Sequence, residues 1–437
     1  MMLRAKKLIV LAACLVFSGC NFGANADQLD MHEYKSPKGF RFSLAKSEIQ
    51  DTIALSFAFA CGLVCDDQKN YAAGYVATAT AKAGGTLSLS AAETYESFRD
   101  AGARFNLNAN SDQTYVEISA PSRGIDRAVD LANEVLTKPV LSEKAMLRLR
   151  EQMAKQREEN ELSAEVKAFA SFINTGVNSE AYEQYFSPHA ADLRAVQLVQ
   201  LQPWLRNHLV TKNILVAVVA DVTPERAGLL VDRVLQDLPV EGPLKFPPGG
   251  ALKPVGTDVI TIAGDGGAQA VVNFGSINKR PETLQEWLSG NMLAKIFAEG
   301  SKSRLFADVR EKIGATYGLD LDFNFYESMA MNRVVGRVGL DKLDQALAQM
   351  RLSWKTFREE GPTNAEISEA KASMLNEMNN ASRDHSRAAG TIRDYLTGHW
   401  TSDEIANMPS LIMHANLKDK ALLAKLFPLN PIVVVAR

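Results

Sequence analysis

The chain has 437 residues, 46% of them hydrophobic and 23% charged, with 48 Lys and Arg against 51 Asp and Glu. That length exceeds one typical core and predicts two or more domains. A net charge of −3 and a pI near 6.2 lack the basic excess of a nucleic-acid binder, so no nucleic-acid partner is expected.

Arg4, Lys6 and Lys7 precede an apolar run from Leu8 to Phe17, too short for a membrane span but ordered like the core of a secretory signal over residues 1–26. Two exits follow it. Leu15-Val16-Phe17-Ser18-Gly19-Cys20 resembles a bacterial lipobox with Cys20 as the lipidated residue, although Phe17 is unusual at its place. Ala24-Asn25-Ala26 is a small-x-small cleavage site. Both predict export to the bacterial periplasm, with membrane contact only through an anchor on Cys20. Export places Cys61 and Cys65 in an oxidising compartment, where they either close a small disulfide loop or stay free. Their CxxxC spacing has no second Cys or His pair nearby and is a weak zinc signal.

Next, Thr52 to Ala60 alternates as a strand and Asn70 to Ala83 reads as a small-residue helix, followed by a helix at Ala91–Ala101. Strands at Arg104–Asn108 and Thr114–Ala120 come next. Helices follow at Ile125–Leu136 and Ser142–Glu161, the second capped by Ser142. Ile214–Ala220 is a buried strand. The second half repeats the series about 220 residues later. Ala268–Gly275 is a strand, Thr283–Phe297 and Ser303–Lys312 are helices, Thr316–Phe325 and Arg333–Val338 are strands, and Lys342–Glu359 is a helix. A long helix then opens on a Thr363/Glu366 capping box. Pro239 to Pro254 holds five Pro and three Gly, as suits a linker. The expected fold is α+β: two homologous domains at 27–238 and 257–437, joined by a linker at 239–256.

Ser303-Arg304-Leu305-Phe306 followed by Arg310-Glu311-Lys312-Ile313-Gly314-Ala315-Thr316-Tyr317 resembles the SRLF…REK.G..Y signature of the pitrilysin and mitochondrial-processing-peptidase family. Gln269–Gly275 resembles the strand opening that family's C-terminal domain. Gly102–Ala109 with Asp112-Gln113-Thr114-Tyr115 resembles the region after its zinc motif, and Asn213–Val222 the strand closing its first domain. The resemblance implies two domains, each a mostly antiparallel sheet packed with helices, facing each other across a peptide-binding cavity.

Family peptidases carry HxxEH on the first helix of the first domain, where two His bind zinc, the Glu is the general base, and a third ligand comes from a later long helix. No His, Glu, Asp or Cys occurs from Tyr71 to Ala81 in the matching helix here. The third-ligand position falls on Ala154 or Lys155, and Glu151, Glu158 and Glu159 read as a solvated helix face. His32, His189, His208, His385, His399 and His414 stand at no ligand spacing and read as surface or cap residues. No metal or other cofactor is expected in this chain.

The resemblance also implies an Arg and a Tyr seven residues apart, the Arg binding substrate backbone and the Tyr supporting the oxyanion. Arg310 and Tyr317 stand at that spacing. A missing zinc helix beside this pair resembles the non-catalytic subunit of two-component members. The implied partner is an HxxEH-bearing homologue that holds the zinc, and the implied substrates are extended peptides bound by strand addition. The alternative is a purely structural or peptide-binding protein of the same fold, without peptidase coupling.

Overall fold

Alternating apolar residues and helix caps build two sheets in the computed structural model, which describes residues 30–47, 51–66, 71–179, 182, 185, 189–246 and 250–437. The predicted signal segment and Cys20 lie outside the described residues. The first sheet contains β1 (Met31–Lys35), β2 (Arg41–Lys46), β3 (Ile53–Phe59), β4 (Arg104–Ala109), β5 (Thr114–Ala120) and β6 (Leu215–Ala220), in the order β1-β2-β6-β3-β5-β4. The second contains β7 (Val259–Ile262), β8 (Gln269–Asn278), β9 (Thr316–Phe325), β10 (Ala330–Gly339) and β11 (Ile432–Ala436), in the order β9-β10-β8-β11-β7.

The internal repeat is visible in this topology. From the hairpin edge, β4-β5-β3-β6-β2 and β9-β10-β8-β11-β7 both run through three antiparallel pairings and one parallel pairing. The fold is α+β, as the sequence predicts. The helices that matter below are α1 (Tyr71–Gly84), α2 (Glu143–Glu161), α3 (Ala164–Gly176), α4 (Leu284–Ala298), α5 (Leu343–Glu360), α6 (Asn364–Ser382) and α7 (His385–Leu396).

Side-chain alternation decides what each sheet face receives. On β3, Leu55, Phe57 and Phe59 join Val76 and Ala77 of α1 in one apolar core. The opposite face carries Ala54, Ser56 and Ala58, and these small buried side chains leave room for a helix. That helix is α7, which belongs to the second half and packs across β3 and β6. In return α3, from the first half, packs across β8 and β11 of the second sheet.

Polar contacts lock the exchange. Arg393 of α7, only 6% exposed, donates to Ser56 Oγ (3.1 Å) and Glu117 Oε1 (2.8 Å) and lies 4.4 Å from the Tyr115 ring centroid. His385, fully buried, is within hydrogen-bonding distance of the Thr52 carbonyl (2.5 Å) and Ser47 Oγ (2.9 Å). On the other side, Arg333 of β10 covers the Phe169 ring of α3 at 4.3 Å, and Arg337 donates to Glu165 at 2.8 Å.

The tips of the two equivalent hairpins also meet. Asp112, between β4 and β5, accepts the Glu327 N–H (2.8 Å) from the β9–β10 turn and the Tyr182 hydroxyl (2.8 Å). Burial pushes the Asp112 carboxyl up to about 6, against these bonds that pull it down. Beside it, Cys61 and Cys65 are joined in a disulfide with Cα atoms 5.8 Å apart. The turn between them donates Leu63 N–H and Val64 N–H to the Asn110 and Ser111 carbonyls, both at 2.9 Å. Gly62 is required there, because a Cβ would stand 2.3 Å from the Gln113 nitrogen.

Two histidines depart from the surface or cap reading. His208 is buried, its ring stacked 3.8 Å from Trp204, and burial lowers it to about 4, so it is neutral near pH 7. His385 spans the contact between halves, as described. The linker at 239–256 is anchored as well: Ala251–Leu252 pairs with Val177–Asn178 of the first half.

Replacing Arg393 with Met leaves Glu117 without its bridging cation and is expected to cost roughly 2–4 kcal/mol in urea unfolding. Asp112 binds its proton more tightly folded than unfolded. Its contribution is therefore present below pH 4 and lost as pH rises through about 6. Asp112→Asn is expected to gain roughly 3 kcal/mol relative to the parent between those limits, read as the difference in melting temperature against pH.

Candidate functional site

The SRLF segment of the second domain positions the Arg/Tyr pair one residue at a time. Ser303 caps a short helix by accepting the Phe306 N–H at 3.4 Å. Arg304 reaches Glu366 with two nitrogens, each at 2.7 Å, and donates to the Gly361 carbonyl at 3.0 Å. Burial raises the Glu366 carboxyl, but these bonds and the Thr363 capping box hold it at about 2. Leu305 is fully buried in the second core. The helix predicted at Ser303–Lys312 then widens into a π-turn over Ala307–Glu311, a form that carries functional residues in many proteins.

Arg310 sits on that π-turn. The chain leaves it through Gly314 at φ +66°, whose N–H donates to the Arg310 carbonyl at 2.9 Å in the αL arrangement that ends helices. Lys342 fixes the turn by donating to the Ile313 (3.0 Å) and Gly314 (3.2 Å) carbonyls. The reversal brings Tyr317, at the start of β9, back beside Arg310. The guanidinium carbon lies 5.5 Å from the Tyr317 ring centroid and 5.7 Å from that of Phe306, and Nη1 donates to the Thr316 carbonyl at 2.9 Å.

Tyr317 is 85% exposed, high for a large side chain in a strand. An irregularity in the pairing with β10, between Thr316 and Leu319, turns it out of the sheet. Around the pair is a cavity of about 470 Å³ whose walls include Gln269 and Asp341. Among the described residues β9 is an edge strand paired with β10 alone, which leaves the backbone groups of its outer side without a strand partner.

Helix α1 of the first domain offers no set of side chains for a metal. Val76, Ala77, Thr80 and Ala81 of α1 are fully buried, and Val76, Ala77 and Ala81 share their apolar cluster with Met146 and Ala154 of α2. Thr80 Oγ1 is buried there without a hydrogen-bond partner. One hydroxyl among alanines and a valine does not fit the three N, O or S ligands that zinc requires. Among the described residues, no group of three His, Cys, Asp or Glu stands close enough to hold a metal ion. Glu151 and Glu158 are held by Arg194 at 3.1 and 2.8 Å on a solvated helix face.

Sequence reasoning missed Lys82 at the end of α1, which donates to Asn108 (2.7 Å) and Asn106 (3.3 Å) of β4 and whose pKa is lowered by burial. The alternation of Asn106 and Asn108 with Phe105 and Leu107 was the available signal for a polar sheet face there. It also missed Asp112 and Glu327, which only the meeting of the hairpins brings together.

Residues 44–186 match the family model described as insulinase (peptidase family M16), and residues 195–374 match that of the peptidase M16 inactive domain. No curated protein matches the chain. Among solved structures, a Pseudomonas fluorescens peptidase M16 inactive domain is similar at 17% identity and TM-score 0.77, covering 93% of this chain and 98% of that one. A Helicobacter pylori protease is similar at 16% identity and TM-score 0.81, covering 94% and 100%. The periplasmic protease PqqL from Escherichia coli is similar at 13% identity and TM-score 0.79, with 93% of this chain matching 45% of PqqL. At these identities the likeness establishes the fold.

Because Tyr317 is exposed, Tyr317→Phe is expected to change folding stability by less than about 0.5 kcal/mol. Arg310→Ala, which removes the bond to Thr316, is expected to cost about 1 kcal/mol, measured by the same urea unfolding.

Proposed function

Since the chain belongs to peptidase family M16, we propose that it is the substrate-binding, zinc-free subunit of a two-chain metallopeptidase of the bacterial periplasm. Its partner is an exported homologue bearing HxxEH, which supplies the metal and the general base. This chain supplies Arg310 and Tyr317. A peptide adds to a sheet edge, Arg310 binds its backbone, and the Tyr317 hydroxyl donates to the scissile carbonyl oxygen as that oxygen becomes an oxyanion. The signal segment over residues 1–26 accounts for export, with the chain either cut after Ala26 or anchored through lipidated Cys20.

The observation that carries this reading is an 85% exposed phenol with a guanidinium over its ring, on a chain whose α1, the counterpart of the family's zinc helix, carries buried alanines and a valine instead of ligands. A phenol placed only for packing gains nothing from such exposure. The purely structural alternative has one observation in its favour: Arg310 finds a hydrogen-bond acceptor in its own chain, at Thr316.

Turnover of an extended peptide by the mixed subunits separates the two. Tyr317→Phe in this chain is expected to lower turnover by about 10²-fold, in the range of a lost oxyanion donor. Unchanged turnover supports the structural alternative.

A further inference from the structure

Where the hairpin tips meet, a second cavity of about 470 Å³ opens between the β4–β5 turn, the β9–β10 turn and α7. It shares no residue with the cavity of Arg310 and Tyr317. Its walls carry three carboxylates, Asp112, Glu327 and Asp394, and the rings of Trp287, Tyr326 and Tyr395, and among the described residues that line it there is no Lys, Arg or His.

Apart from the Glu327 N–H, the groups that hold these carboxylates lie outside that lining. Arg280 and His399 bond Glu327 at 2.6 and 3.0 Å, Arg393 bonds Asp394 at 2.7 Å, and Asp112 accepts from Tyr182 and the Glu327 N–H. Arg393 is shared with Glu117, so the two arginines pair with three carboxylates, and Asp112 is bonded by a hydroxyl and an amide rather than by a cation. Gln113, also in the wall, has a buried Oε1 with no hydrogen-bond partner. Carboxylate acceptors, aromatic faces and an absence of cations among the described wall residues together select a positively charged donor on an apolar stem. The volume falls within the range of small-molecule sites.

We propose that this cavity binds an organic cation, an ammonium or guanidinium group on an aliphatic stem. The cation comes either from a basic side chain of a bound peptide or from a free amine. The site belongs to this chain alone and does not depend on the reading of Arg310 and Tyr317, so it is tested without a partner subunit.

The experiment is calorimetric titration of the full chain with agmatine, with an alanine-rich peptide carrying one arginine, and with the same peptide carrying citrulline. At least one cation is expected to bind saturably with Kd below about 1 mM, and the citrulline peptide at least about tenfold more weakly than the arginine peptide or agmatine. A tighter arginine peptide assigns the ligand to peptide side chains, and tighter agmatine assigns it to free amines. Asp394→Asn is expected to weaken binding about five- to tenfold. Thr391→Arg tethers a guanidinium in the wall of the cavity and is expected to abolish binding without lowering the melting temperature. Three results would each overturn the site: no saturable binding up to about 10 mM, equal affinity for citrulline, or parental affinity in both variants.

Discussion

Neither sheet of this protein covers both of its own faces, and everything else in the structure depends on how that is resolved. One face of each sheet packs on helices of its own half. The other receives a helix from the opposite half, α7 on the first sheet and α3 on the second. The exchange requires small side chains such as Ala54, Ser56 and Ala58 beneath α7. It also buries charge, because Arg393 is buried where it bridges Ser56, Glu117 and Asp394, although both carboxylates keep a face to solvent. A buried arginine is tolerable only with such partners, and removing one side of the arrangement is far costlier than never having built it. The two halves therefore behave as one body, and the hairpin tips at Asp112 and Glu327 are held together as a consequence.

That rigidity gives the exposed groups their meaning. The repeated topology offers two equivalent hairpins, β4–β5 and β9–β10, and the two halves have specialised differently. In the first half the helix beside the edge strand has become an apolar contact, with Val76, Ala77 and Ala154 closing the space where ligands would stand. In the second half the SRLF segment, the π-turn and Gly314 hold Tyr317 out toward solvent beside Arg310. One half is filled in, and the other keeps a positioned donor and cation. A subunit that contributes electrostatic support to another chain's chemistry needs the second feature and not the first.

Much of this was legible in the sequence. Alternating apolar residues and caps located the repeated strands and long helices, and the resemblance of the SRLF…REK segment to the family signature marked Arg310 and Tyr317. Other features have no local signature. The strands β1 and β2 (MHEYK and RFSLAK) mix polar and apolar residues, and their place is decided by pairing with distant β6. His385 resembles any helix-start histidine until it meets Thr52 and Ser47, more than three hundred residues earlier in the chain. The crossing of α3 and α7 is likewise a tertiary choice, because an amphipathic helix does not specify which sheet it will cover. The cavity at Asp112, Glu327 and Asp394 exists only through that crossing.

The central claim is that this chain completes an active site whose metal another chain holds. Native mass spectrometry with metal analysis, on the chain alone and co-expressed with an exported HxxEH-bearing homologue, tests it most directly. The account predicts a zinc-free isolated chain and a one-to-one complex that holds a single zinc. Stoichiometric zinc on the isolated chain, or failure of the two chains to associate, would contradict it.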